Sequence, residues 1–495
     1  MTENLRSPQQ NNAVRVSLII LVTALAVVPA EAELLNDWLR QQSDAMRVWD
    51  FGGDIRLRYA SFHNAVVAAP TMTATPAGTK PLTMPVNPNT DFIAQGQVNS
   101  TGLLLLREKF HAGFTPASWF TAYGEVRHGT VELDRRSPKP DFGVVLQQGY
   151  VVLGDGAKFP LIAKVGRQEM GYGDLRFVAT PDWLNLGRTF DAAKLRFTND
   201  CFWVDAFVAR IVVTHQDHFN ESNDYDTFSG IYASSRTLAP WQETDFFVFS
   251  RNASAGAVSA AAFNVPGTPT TARDIVTFGF RFKSLPGMLA GWDYYLEAAG
   301  KLGSIYSSAL QRRLDQQAYT VMAATGYTWS DLWASPRLGV GYDGGSGDSD
   351  PNDGKSGTFD NLYGAFHGRY GMMDLTCQRN MHIPRVSASL QPLKKLNLAA
   401  DYRLYWLYDT GDYFYPCSGS GRSSNGYGIH PDHSSFVGSE LDLTAGYSVT
   451  PCWLFQAGYS HFFVGDYIKQ SVGSVPANGG AVDADFFFVQ TKLTF

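Results

Sequence analysis

Beyond residue 28 the chain has no apolar run approaching the ~18 residues that a membrane helix needs, yet it is poor in charge, with Asp, Glu, Lys and Arg at only 17%. The first absence excludes a helical membrane protein. The second is a poor match to an ordinary water-facing surface. Cysteine is scarce: the four residues, Cys201, Cys377, Cys417 and Cys452, show no CxxC or His-paired spacing, so no metal site is read. Also missing are a phosphate-binding glycine loop, a dinucleotide fingerprint and any nucleic-acid motif. His382, His430 and His461 lack a Ser/His/Asp spacing, so no catalytic residue and no cofactor is implied. Asp293 and Glu297 share a strand face where paired carboxylates can serve as acid and base, but basic neighbours explain them more simply. No Pro/Gly/Ser linker divides the chain, although soluble domains of this size usually split.

What is present begins at the C-terminal end. In Asp483–Phe495, residues Phe487, Val489, Thr491, Leu493 and Phe495 alternate with Phe488, Gln490, Lys492 and Thr494. A period of two places these sets on opposite faces of a strand. A closing strand that ends on an aromatic residue is what outer-membrane barrels use, because lipid tolerates no open sheet edge. At the other end Arg6 and Arg15 precede the apolar run Val16–Val28 and then Pro29-Ala-Glu-Ala32. That pattern reads as a signal peptide over 1–32, cleaved after Ala32. Residues 33–50 read as a weakly helical periplasmic extension, and 51–495 as the barrel. Aromatics at 14% and 47 glycines suit a barrel with Trp/Tyr belts.

Alternation predicts strands at 51–60, 101–114, 118–128, 143–153, 160–168, 191–198, 202–213, 227–235 and 244–251. It predicts a second set at 274–284, 289–300, 316–329, 334–342, 383–391, 395–409, 437–449, 452–462 and 484–495. The expected fold is all-β, an antiparallel up-and-down transmembrane barrel of about 18 strands. Connections alternate short (115–117, 199–201, 285–288, 330–333, 392–394, 450–451) and long (61–100, 129–142, 169–190, 252–273, 343–382, 410–436, 463–483). Short periplasmic turns opposite long extracellular loops are the asymmetry of a barrel in a bacterial outer membrane.

The same alternation assigns faces. Ile55, Leu57 and Tyr59 point to lipid, while Asp54, Arg56 and Arg58 point inward. Tyr123, Glu125 and Arg127 line the lumen, as do Arg281, Lys283, Asp293, Glu297, Lys301, Asp401, Arg403, Glu440 and Asp442. An Arg or Lys against lipid near the midplane costs roughly 2–4 kcal/mol, which fixes this orientation. On these boundaries the strands carry 18 basic against 14 acidic residues although the whole chain is -6, so the lumen is expected to be hydrated and anion-preferring. Cys377 and Cys417 fall in neighbouring outer loops, where a disulfide is plausible in an oxidising compartment. The acidic stretch Asp348–Gly354 partly matches a calcium loop, but its glycine is displaced and its twelfth position is Phe359, which excludes an EF-hand.

Several segments resemble the alginate-export family of outer-membrane barrels: Gly166-Arg-Gln-Glu-Met-Gly-Tyr-Gly-Asp174-Leu-Arg176, Pro181-Asp-Trp-Leu-Asn185, Gly187-Arg-Thr-Phe-Asp191, Ser346–Asp360, Gly438–Asp442 and Gly458–Asp466. The resemblance implies an 18-stranded monomeric barrel that passes an anionic polysaccharide or oligosaccharide through an arginine-rich constriction, working with outer-membrane lipid and periplasmic export machinery. It places Arg56, Arg107 and Arg167 on the pore wall, and Asp174, Arg176, Arg188 and Asp191 in a loop folded inward by Asp–Arg pairs. Arg127 and Arg281 are expected to attract substrate as well, with Asp174, Asp191, Asp401, Glu440 and Asp442 holding the arginines in place. Gln147 and Gln456 replace further arginines of that pattern, and the turn Tyr447–Cys452 is too short to plug the pore. The pore is therefore expected to be open or closed by outer loops such as 61–100. The alternatives are an anion-selective or general porin for small solutes, and an outer-membrane hydrolase. Intact-mass measurement of protein purified from outer membranes is expected to place the mature N-terminus at Glu33; a chain retaining Met1 counts against the signal peptide.

Overall fold

The computed structural model describes residues 34–495 except 66–70, 73–81, 84–89, 97–98, 133–140, 215–218, 255–257, 260–264, 270–271, 308–309 and 418–420. The expected signal peptide, 1–32, lies outside the described residues. Eighteen long strands follow in chain order. The first nine are β1 (Trp49–His63), β2 (Thr101–Ala117), β3 (Phe120–Glu132), β4 (Asp141–Leu153), β5 (Leu161–Gln168), β6 (Phe190–Thr198), β7 (Trp203–Val213), β8 (Glu221–Ser235) and β9 (Gln242–Ala253). The rest are β10 (Arg273–Ser284), β11 (Trp292–Ser307), β12 (Arg312–Thr328), β13 (Arg337–Gly345), β14 (Met381–Leu393), β15 (Leu396–Leu407), β16 (Phe436–Thr450), β17 (Trp453–Val464) and β18 (Ala484–Thr494). Every strand expected from alternation is found, most of them extended at one or both ends.

Each strand pairs antiparallel with its neighbour in sequence, and β18 returns to β1 from Asp54↔Thr494 to His63↔Asp485. The ring is closed. Lys355–Ser356 adds parallel to β12 without entering the ring. At the seam the Gly53 N–H donates to the Phe495 carbonyl at 2.9 Å and the Phe495 N–H donates back at 3.1 Å. A Cβ on Gly53 would stand 2.0 Å from the Lys109 carbonyl oxygen, so only glycine lets β1 and β2 approach there. Before the seam, a helix α1 (Leu34–Gln42) brings Asn36 to the edge of β1. Its amide accepts from the Phe51 N–H and donates to the Phe51 carbonyl, both at 2.8 Å, standing in for a strand partner.

The outside is apolar, with Val208, Phe246, Phe278, Val340 and Val489 among its exposed residues. Trp119, Trp241, Trp292, Trp329 and Trp333 gather at the short turns as an interfacial girdle. The turn joining β16 to β17 is only Pro451-Cys452, as expected.

Inside, two outer loops fold into the lumen. Residues 169–189 and 346–380 meet at a parallel bridge between Val178 and Tyr363, where the Tyr363 N–H donates to the Phe177 carbonyl at 2.8 Å. Phe190, Phe207, Phe228, Phe247 and Phe249, on β6 to β9, pack against Tyr172, Phe177, Phe359 and Tyr363 of these loops as a dry aromatic core. A second apolar cluster joins Tyr370, Met372 and Met373 to Phe92, Phe462 and the helix α2 (Asp466–Gly473). The expectation of a hydrated lumen is thus qualified: part of the interior is a buried aromatic core. The physical reason is that irregular backbone survives at membrane depth only when it is buried in protein or lines water. Replacing Gly53 with Val should abolish barrel closure, read as loss of the heat-modifiable band on unboiled electrophoresis; a normally folded G53V protein contradicts the seam geometry.

Candidate functional site: a loop-filled basic lumen

The adjacent strands β1, β2 and β3 bring four inward cationic side chains together, since Arg56 pairs in register with Arg107, and Lys109 with Arg127. Bare like charges at that spacing would repel. The segment Pro181–Asn185 lies over them. Arg56 donates to the carbonyls of Asp182 and Leu184 and to Asn185 Oδ1 at 3.1 Å. Arg107 donates to Asp182 Oδ1 at 2.6 Å, to the Asp182 carbonyl at 2.8 Å and to Asp54 at 2.7 Å. Arg127 reaches Glu169 at 3.4 Å. Asn185 completes the latch by donating to the carbonyls of Leu106 and Thr130, each at 3.0 Å. Arg58 lies 3.6 Å over the Trp183 ring, and its Nε and Nη1 have no hydrogen-bond partner.

The other expected residues are likewise engaged. Arg167 forks onto Asp191 at 2.8 and 2.9 Å. Asp174 receives Arg281 at 3.0 Å and Lys283 at 2.6 Å. Arg176 pairs with Asp343 at 3.2 Å, and Arg188 donates to the carbonyls of Ala179 and Tyr363. The 174–191 segment folds inward, tied to the wall by the Asp–Arg pairs Asp191–Arg167, Asp174–Arg281 and Arg176–Asp343. Arg403 pairs with Asp442 at 2.5 Å and lies 3.6 Å from Asp401. Glu440 stands opposite Arg403 in the β15–β16 register and accepts the Met373 N–H and the Tyr405 hydroxyl, both at 3.0 Å. Asp293 is bound by Arg337 and Glu297 accepts the Tyr295 hydroxyl, so neither forms an acid/base pair. Gln147 donates to Glu169 at 3.0 Å.

Two readings are corrected here. Cys377 and Cys417 are free thiols, adjacent but unjoined, with the Cys377 Sγ 4.0 Å from the Cys417 carbonyl oxygen. Burial, followed by the neighbouring Cys377 thiol, pushes the Cys417 thiol up and disfavours the thiolate that oxidation requires. The lumen is closed chiefly by 169–189 and 346–380, while the described part of 61–100 adds Asp91, bound by Arg422 at 2.7 Å, and Phe92 against Phe462. Asp348, Asp350 and Asp353 accept N–H groups of their own loop, at Asp350, Asn352 and Lys355.

Periodicity missed the loop partners, because a loop has no period to read. Asp182, Trp183 and Asn185 lie within the resembling segment without a signal of their role. Asp360, which receives Arg273 at 2.8 Å and the Lys301 amine, and the buried pair Arg251–Asp226 at 2.6 Å were also not foreseen. Burial opposes the charge on Asp182, but Arg107, Lys492 and Arg56 outweigh it and hold the carboxyl below the usual range. Beneath the latch, toward the short turns, a cavity of about 660 Å³ is bounded by Arg56, Trp183, Phe366, His367, Arg369, Met372, Gly446 and Phe488.

A closed lipid-facing barrel with a lumen of this kind is an outer-membrane channel, and its place is the bacterial outer membrane. The sequence pattern described as "Alginate export" matches residues 48–481, and the chain belongs to that family. No curated protein matches the chain. Among solved structures, OpdK of Pseudomonas aeruginosa, crystallised with vanillate, superposes with TM-score 0.52 at 13% identity, covering 90% of this chain and 98% of OpdK. OccAB3 of Acinetobacter baumannii gives TM-score 0.53 at 10% identity over 90% of this chain and 99% of its own. At such identities the likeness establishes the fold alone. The family and these neighbours are channels, not enzymes.

Asn185→Ala removes three hydrogen bonds from the latch, and each buried polar group left unsatisfied costs about 1–3 kcal/mol. Open probability in planar bilayers is expected to rise at least ~10-fold, given that 1.4 kcal/mol is tenfold in an equilibrium; gating indistinguishable from wild type would show that 169–189 is not the closing element.

Proposed function

We propose that the protein is a passive, loop-gated channel for anionic solutes, and that a limited movement of its inward loops lets small organic anions pass. The observation that carries this is the charge excess on the β1–β3 side of the lumen. Among the described residues Arg56, Arg58, Arg107, Lys109, Arg127 and Lys492 face Asp54, Glu125, Glu169, Asp182 and Asp374, six cations against five carboxylates. Many moderate contacts of this kind favour entry of an anion without trapping it. The lumen walls focus that field across the whole opening.

A second reading, passage of an anionic polysaccharide strand, is supported by membership of the alginate-export family. It requires both inward loops to swing out, since 169–189 and 346–380 are joined across the lumen at Val178 and Tyr363. The two readings share the basic wall and differ in how far the loops move. The chain is proposed to act as a monomer. Replacing Arg58 and Lys109 with Glu should shift the zero-current potential in a KCl gradient from anion-preferring toward cation-preferring, and an unchanged reversal potential argues against the basic-wall channel. Liposome swelling with glucuronate against long uronate oligomers separates the two readings: entry of the monomer alone supports the gated small-solute channel.

A further inference from the structure

We propose that the cavity beneath the latch is a binding site for a compact amphipathic monoanion, with its carboxylate on Arg369 and its apolar body against Phe366, Met372 and Phe488. The inference rests on the channel reading and names the class of solute that the channel would hold on its way through.

The cavity's volume, about 660 Å³, suits a small ligand and is too short for a polymer threaded across the barrel. Its carboxylates are already taken. Asp182 is held by Arg107 at 2.6 Å, with Lys492 at 3.8 Å. Asp374 is bound to His367 at 2.9 Å. Arg56 spends its terminal nitrogens on the carbonyls of Asp182 and Leu184. Arg369 is different: it lines the cavity half-buried, and among the described residues its guanidinium has no ion-pair or hydrogen-bond partner. Only its backbone N–H is used, donating to the Phe366 carbonyl at 2.9 Å. Burial and the neighbouring Arg176 pull its pKa down, as expected of a cation short of an anion.

Toward the barrel wall the lining carries Asn397, Thr444, Ser448, Gln456 and Gln490, whereas the loop side is largely apolar and flat. His367 stacks on Trp183 with centroids 3.6 Å apart and planes at 7°, and Phe488 meets Trp183 edge-on at 4.9 Å. Such surfaces suit a ring or short hydrocarbon. At Gly446 an added Cβ would meet nothing within 4 Å, so the cavity reaches the barrel wall itself. A fork-shaped cation on one side and aromatic surface on the other is recognition chemistry for an organic acid with a greasy body.

The test uses full-length protein in detergent and equilibrium dialysis with benzoate as the probe. Benzamide matches its shape without the charge, and glucuronate carries the charge without the apolar body. Benzoate is expected to bind at least ~10-fold tighter than either, the size of effect given by 1.4 kcal/mol. Arg369→Gln should weaken benzoate about tenfold or more and leave benzamide unchanged, while Gly446→Leu, which fills the cavity without touching a cation, should weaken both aromatic probes. Glucuronate binding as tightly as benzoate, or benzoate binding that ignores both substitutions, overturns the proposal. Conductance in KCl is measured separately on the same preparation. Conductance without benzoate binding overturns this site and leaves the channel standing, whereas benzoate binding without conductance removes the channel and leaves the site.

Discussion

The contact on which the interior depends is the hydrogen bond from an inward-pointing arginine or lysine to the backbone carbonyl of a loop. Arg56, Arg107, Arg188, Arg403, Arg422 and Lys301 all make it, to Asp182 and Leu184, Asp182, Tyr363, Gly368, Leu375 and Asp360 respectively. An irregular loop carries carbonyls that no ladder satisfies, and inside a barrel they must find donors or remain wet. The guanidinium offers five donors in a rigid fork, so one side chain can satisfy two carbonyls and still hold a carboxylate. A bond to a charged donor contributes roughly 1.5–3 kcal/mol, enough for several together to hold a loop at membrane depth.

This changes what a basic lumen means. The arginines are not bare cations waiting for a solute; most are the anchors of the element that closes the path. Asp182 is the hinge of this arrangement, because it offers both its carbonyl and its carboxylate to Arg107.

The opposite half of the lumen obeys a different rule. From β6 to β9 phenylalanines alternate with ion pairs such as Arg251–Asp226 on the inner face, and the loops answer the rings with Tyr172, Phe177, Phe359 and Tyr363. Here closure is ordinary apolar burial, worth about 25 cal/mol per Å². The cavity lies on the other side, beneath the arginine-held segment, so the empty space coincides with the part of the plug that charge holds.

Strand number, order and closure were legible in the sequence because a wall with lipid on one side imposes a period of two that no packing detail can blur. The same period placed Arg56, Arg127, Arg281 and Arg403 inside, and the family resemblance Arg107, where each is found buried. Their partners were not legible: Asp182, Asn185 and Gly368 lie far away in the chain, in loops whose conformation follows from what they meet. Glu440 illustrates the limit: its inward face followed from alternation, while its bonds to the Met373 N–H and the Tyr405 hydroxyl did not. Cys377 and Cys417 illustrate it again, close enough to suggest a bond and buried as thiols. The sequence by itself determined the cylinder, because solvent on each face acts locally on alternate residues. Only the tertiary structure decided that the cylinder is filled, because hydrogen bonds between a wall and a distant loop depend on positions that no local pattern encodes.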